Sequence, residues 1–88
     1  MIHPYVDIKE LVEFAAKSLV DHPDQVDVRV HENAHAVNVE LRVAQDDMGR
    51  VIGKGGRVIN SLRTLVRVAA VRLGKRASLE VETTGTPR

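Results

Sequence analysis

Apolar residues recur along this chain with two periods, and the points where one period replaces the other outline its elements. Ile8, Leu11, Val12, Ala15 and Leu19 stand three and four apart with Lys9, Glu13 and Lys17 between them. That spacing predicts an amphipathic helix. Asp7 and Glu10 make the sequence of a capping box at its start. Val20-Asp21-His22-Pro23 ends it, because proline biases its predecessor away from helical angles. From Gln25 to His31 the period is two, with Val26, Val28 and Val30 opposed to Asp27 and Arg29. The alternation returns from His35 to Ala44, with Val37, Val39, Leu41 and Val43 set against Asn38, Glu40 and Arg42. Glu32-Asn33-Ala34 is the turn between them, so the two half-buried strands form an antiparallel hairpin.

Helical spacing resumes after the hairpin. Asp46-Asp47 is placed to cap a short segment from Met48 to Ile52, and a longer helix is expected from Arg57 to Leu73. Ile59, Leu62, Val66, Ala69 and Leu73 form its core stripe, and Gly74 stands where a C′ glycine belongs. Val58, Leu65 and Val68 lie off that stripe, either as a face for a partner or as the margin of a broader buried stripe. Ala77, Leu79, Val81 and Thr83 alternate with Ser78, Glu80 and Glu82 as a third strand. The order is α-β-β-α-α-β. Strands two and three, joined through helices, should run parallel in a right-handed crossover. The expected fold class is α+β, a three-stranded mixed sheet with three helices packed on one face. Residues 1–84 are read as one domain and 85–88 as a frayed tail.

Composition adds exclusions. There is no Cys among the 88 residues, which removes disulfides, thiolate nucleophiles and Cys-based zinc sites. Met1-Ile2-His3-Pro4 has no basic n-region and no long apolar run follows, so neither a signal peptide nor a membrane span is expected. A cytoplasmic location is the default expectation. The net charge of +1 conceals a division. Residues 1–47 carry four Lys/Arg against ten Asp/Glu, whereas residues 48–88 carry nine against two. An acidic body with one basic half suits a polyanion.

The basic half opens on Val51-Ile52-Gly53-Lys54-Gly55-Gly56-Arg57-Val58-Ile59, which holds three of the six glycines in four positions. Glycine permits positive φ and close approach by another backbone. Before a periodic helix, such a cluster exposes N–H groups and a positive dipole end. Lys54 at the tip and Arg57 just inside the helix add full charges, so phosphate is the natural ligand. A ligand-free helix–helix turn is the plain alternative, but it needs fewer glycines.

Ile52-Gly53-Lys54-Gly55-Gly56, within the order α-β-β-α-α-β, resembles the I-G-x-x-G motif of type II KH nucleic-acid-binding domains. The run from Asp47 to Arg57, continued by Leu62-Arg63-Thr64-Leu65-Val66, is similar to the small bacterial single-KH proteins of the KhpA (YlqC) family over nearly the whole length. The resemblance implies binding of single-stranded RNA, with the loop clamping about four nucleotides, and a cytoplasmic role as RNA chaperone or regulator. It also implies pairing as a homodimer or with a second KH-containing protein of the KhpB (Jag, EloR) type, and for some members links to cell shape. On this sequence the expected RNA-binding residues are Gly53, Lys54, Gly55, Gly56 and Arg57. Val51, Ile52 and Ile59 are expected as an aliphatic floor for bases, and Arg50, Lys75 and Arg76 as a rim. With Tyr5 and Phe14 the only aromatics, base stacking on rings is largely unavailable.

Other chemistry finds less support. A phosphate-binding Walker loop needs G-x-x-x-x-G-K-[ST], but Gly49 stands only four before Gly53, and Gly55 occupies the place of the hydroxyl residue. No nucleophile and base stand in plausible relation, so neither an enzyme nor a cofactor is expected. His31 and His35 flank the hairpin turn without a third ligand, and no metal site is expected. Arg63 and Arg67, four apart, are simplest as a solvated helix face, and Lys75-Arg76 serve equally as charges complementing a helix C-terminus. An adaptor that keeps this fold without engaging RNA is the alternative function.

Overall fold

The computed structural model describes residues 7–84. Helix α1 (Ile8–Leu19) begins as expected: the Asp7 carboxylate accepts the Glu10 N–H at 3.2 Å. Its buried stripe is Ile8, Val12 and Ala16, while Leu19 reaches the surface at the frayed end. Strands β1 (Asp27–Glu32) and β2 (Ala36–Val43) pair antiparallel, with Val28 opposite Leu41 and Val30 opposite Val39. The Asn33 side chain fixes the turn between them by accepting the N–H groups of His35 and Ala36. Such side-chain mimicry of a backbone turn is why Asn favours this position. Helices α2 (Met48–Ile52) and α3 (Arg57–Val71) follow, then β3 (Arg76–Thr83), parallel to β2 in the order β1-β2-β3.

Register explains the two faces of this sheet. Val28–Leu41–Val81 and Val30–Val39–Leu79 form rows across the strands, turned toward the helices. The core joins them to Ile8 and Val12 of α1, Val51 of α2, and Ile59, Leu62 and Val66 of α3. The opposite rows, His31–Asn38–Ser78 and Asp27–Arg42–Glu82, are polar. There Ser78 donates to Asn38 at 2.7 Å, and Arg42 lies 3.8 Å from Glu82. A two-period sequence with one apolar set thus places all three helices on one side. Among the described residues, no helix is long and apolar enough to cross a membrane.

The loop ends of α3 are built differently. At its C-terminus, Gly74 (φ 74°) allows Lys75 N–H to reach the Ala70 carbonyl and Gly74 N–H the Val71 carbonyl. These are the bonds of a Schellman ending. The helix therefore stops at Val71, two residues short of the spacing-based limit, and Leu73 lies in the turn, 38% exposed. At its N-terminus Gly53, Gly55 and Gly56 all take positive φ, at 77°, 64° and 79°.

The Asp46-Asp47 pair, expected from its position to cap α2, acts differently at Asp47. Asp47 does not cap α2 with its side chain. It is wholly buried, and its two carboxylate oxygens accept the N–H groups of Asp21 and His22, each at 3.0 Å. The residue needed at this position is an acceptor for the end of α1's linker, which no local spacing rule reveals. Arg50 completes the brace, with Nη2 2.7 Å from Asp21 and Nε 3.5 Å from Asp47. The arm carrying the glycine loop is thereby tied to the linker that follows α1.

These contacts set an order of sensitivities in urea denaturation. Asp47→Ala strands two donors and is expected to cost about 2–3 kcal/mol, whereas Asp46→Ala, at an exposed position, should cost less than about 0.5 kcal/mol. A Cβ at Gly53 would meet the Val58 side chain at 2.5 Å and its backbone nitrogen at 2.9 Å. Gly53→Ala should therefore cost roughly 3 kcal/mol or more. A Cβ at Gly55 meets nothing within 4 Å, so Gly55→Ala carries only the left-handed penalty of about 1 kcal/mol. Equal costs at the two glycines would contradict the packing described.

Candidate nucleic-acid interface

The site is assembled from the loop outward. Gly53 ends α2 and lies against Val58, so the first glycine is demanded by contact as well as by φ. Gly56 N–H closes the turn on the Gly53 carbonyl at 3.0 Å. Gly56 then serves as the N-cap of α3 in a left-handed conformation, and no side chain bonds the helix start. Between them Lys54 and Gly55 stand exposed at the tip. The result is a short, bare, convex backbone at the positive end of a 15-residue helix.

The cations around it fall into two groups. Lys54 and Arg57 are exposed, and no described residue forms an ion pair with either. Arg50 is held by Asp21 and Asp47, and Lys75 is held by Glu32. Lys75 and Arg76 also lie beyond the far end of α3, a helix length of about 22 Å from the loop. The structure thus brings Lys54 and Arg57 to the glycines and leaves the Lys75-Arg76 pair at the other end, where Arg76 N–H donates to the His35 carbonyl.

The expected apolar floor changes as well. Val51 is wholly buried and Ile59 is 5% exposed, both inside the core, so neither presents a surface to a base. Ile52 is half-buried and alone of the three faces outward in part. Hydrophobic spacing marks residues that leave water, and it does not tell a core position from a groove floor.

A feature absent from the sequence-based expectations lies along β3, an edge strand. Arg76 and Thr84 direct their N–H groups to carbonyls beside β2. By the two-residue period of a strand, Ala77, Leu79 and Val81 then direct N–H and C=O outward. Arg63 on α3 crosses to this edge: its Nε donates to the Leu79 carbonyl at 3.2 Å and its Nη1 to Asn60 at 3.1 Å. Arg63, Arg67, Ala77, Ser78, Leu79 and Glu80 line a shallow groove. Arg63 is therefore no freely solvated residue, although Arg67 is exposed. The signal in the sequence was the i, i+4 pair of arginines on a helix preceding a strand, which the edge position of that strand makes meaningful.

Comparison with known proteins agrees with this geometry. Residues 9–81 match the family model described as KhpA/KhpB, KH domain. An RNA-binding protein KhpA from Halalkalibacterium halodurans is 47% identical over 74 residues, 84% of this chain and 97% of that protein. One of the same name from Clostridium acetobutylicum is 46% identical over 74 residues, covering 84% of this chain and 99% of that protein. Among solved structures, Era in complex with MgGDPNP and nucleotides 1506–1542 of 16S ribosomal RNA superposes with a TM-score of 0.63 at 20% identity. That likeness covers 86% of this chain and 29% of the Era chain, and shows the fold alone. With its α-β-β-α-α-β order, its glycine turn and these relatives, the chain belongs to the KhpA/KhpB KH-domain family.

Proposed function

We propose that this protein binds single-stranded RNA by clamping its sugar-phosphate chain on the glycine loop, as an RNA chaperone or post-transcriptional regulator. The observation that carries the reading is the open tip: Gly55 has nothing within 4 Å of where a side chain would stand, beside unpaired Lys54 and Arg57. A phosphate can approach the backbone there, and both cations are free to meet it. The names of the relatives, RNA-binding protein KhpA, support the same ligand. Phe14, the one Phe, Tyr or Trp among the described residues, stands 74% exposed on α1 and is not part of the groove lining, so stacking of bases on such a ring finds no partner there. Affinity then rests mainly on charge.

A clamp of this size gains from linkage to a second RNA-binding unit, which can raise avidity about 10²–10⁴-fold. We propose a second KH-containing protein, or a second copy of this chain, in that role. Leu65 and Val68, with Val71 beyond them, are exposed on the outer side of α3 and support such a contact. Val58, which spacing groups with Leu65 and Val68, packs over Gly53 against the core and is set aside. Light scattering reads this directly: a mass that stays monomeric at all concentrations, alone and with the second protein, contradicts it.

The clamp is tested by a Lys54→Asp, Gly55→Asp double variant. Asp tolerates the left-handed angles at position 55, so the circular dichroism spectrum should be preserved while RNA binding is abolished. For the unaltered protein, polarisation assays across a salt series should give a log–log slope of about −2 to −3, or roughly −0.7 per phosphate for three or four contacts. Unchanged affinity in the double variant, or a flat salt response, would favour the adaptor that does not engage RNA.

A further inference from the structure

Asp21 contributes to the fold twice, and only one of the two contributions comes from its side chain. Its backbone N–H, with that of His22, donates to the buried Asp47 carboxylate at 3.0 Å. Its own carboxylate accepts Arg50 Nη2 at 2.7 Å, while Arg50 Nε stands 3.5 Å from Asp47. One guanidinium thus bridges two carboxylates, one from the linker after α1 and one from the residue before α2. The planar fork of arginine suits such a bridge, which the point charge of a lysine does not reproduce. Both side chains of the outer pair are more than half exposed, so the bridge adds little to global stability. Its place gives it another use. Arg50 is the middle residue of α2, a five-residue helix, and lies three residues before Gly53. A helix this short does not hold its own direction, and the bridge limits how far it swings about Asp47.

We infer that Asp21 is a positioning residue for RNA binding: it holds Arg50, and through Arg50 the direction of α2 and of the glycine loop that ends it. The inference rests on the RNA-binding reading above and extends it to an acidic residue outside the loop. A clamp that samples several directions binds more weakly, in proportion to the fraction of molecules that hold the right one. The sign of the effect separates this role from plain electrostatics. Removing a carboxylate near a site for a polyanion ordinarily strengthens binding, because a repulsion is lost. Here its removal should weaken binding, even though Arg50 is then free to meet a phosphate. Asp24 supplies the comparison. It is exposed in the same linker, forms no ion pair with a described residue, and its loss changes the charge equally.

The test is a polarisation titration of a single-stranded oligouridine across a salt series, with urea denaturation alongside. It compares the full chain with Asp21→Ala, Asp21→Glu, Asp24→Ala, Arg50→Ala and the double variant Asp21→Ala, Arg50→Ala. Asp21→Ala keeps the backbone bond to Asp47, so its urea midpoint should stay close to that of the full chain. Its affinity should fall about three- to fivefold, the upper range for an exposed ion pair. Asp21→Glu keeps the charge and should bind within about twofold of the full chain, and Asp24→Ala should bind as tightly or slightly more so. Arg50→Ala should lose about as much as Asp21→Ala and keep the salt slope of the full chain, whereas loss of a phosphate contact would reduce that slope by about 0.7. The double variant should be no weaker than either single one, as for two members of one contact. Tighter binding by Asp21→Ala would show that Asp21 withholds Arg50 from the RNA and would overturn the inference. Equal affinities of Asp21→Ala and Asp24→Ala, or a lowered salt slope in Arg50→Ala, would do the same. A urea midpoint that falls in step with affinity would assign Asp21 to the fold alone and overturn it likewise. Absence of binding by the full chain would overturn both this inference and the clamp.

Discussion

The tight contact on which the site depends is between Gly53 and Val58, the second residue of α3. With the Val58 nitrogen 2.9 Å and its methyl 2.5 Å from where a Cβ would stand, the two helix ends have no room for a side chain between them. This contact brings α2 and α3 together at a turn of three residues. It forces the next glycines into left-handed angles, and it points Lys54 and Gly55 away from the body. The exposed tip is thus a consequence of tight packing beneath it. A looser hinge would let side chains fold over the backbone and fill the space where a phosphate is proposed to lie.

The arm that bears this turn is held from the other side by Asp47. A buried carboxylate is costly unless satisfied, and here it accepts two backbone N–H groups and has Arg50 nearby. The site therefore rests on a polar anchor and an apolar contact at opposite ends of α2, a helix of five residues that is too short to be stable alone. This division also sorts the basic residues. Arg50 and Lys75, paired with acidic groups, hold parts of the fold together, while Lys54 and Arg57 remain available.

Local pattern made the element order, the parallel and antiparallel pairings and the glycine turn legible, because each depends on periods and conformational preferences that single residues carry. Val37, Val39, Leu41 and Val43 are buried as their alternation requires, and Gly74 ends α3 as a C′ glycine should. Three features were not legible, for one shared reason. Asp47 answers two amides 25 and 26 residues away, Arg63 answers a carbonyl 16 residues away, and Val51 and Ile59 sink into a core made by the sheet. Spacing along a helix shows which residues share a face but not what lies opposite. The charge division between the halves pointed to a polyanion, yet it could not separate cations already committed to Glu32 or Asp21 from those that are free.

The RNA clamp requires an unpaired strand to lie across the bare turn between α2 and α3. Titration of the ¹⁵N-labelled chain with a short single-stranded oligouridine, followed by amide chemical shifts, tests that path directly. The largest changes are expected at Gly53 to Val58, with the polar row of the sheet at Arg29 and Glu40 unmoved. Changes concentrated on that row, with the glycine amides undisturbed at saturation, would place the ligand on the other face and contradict the account.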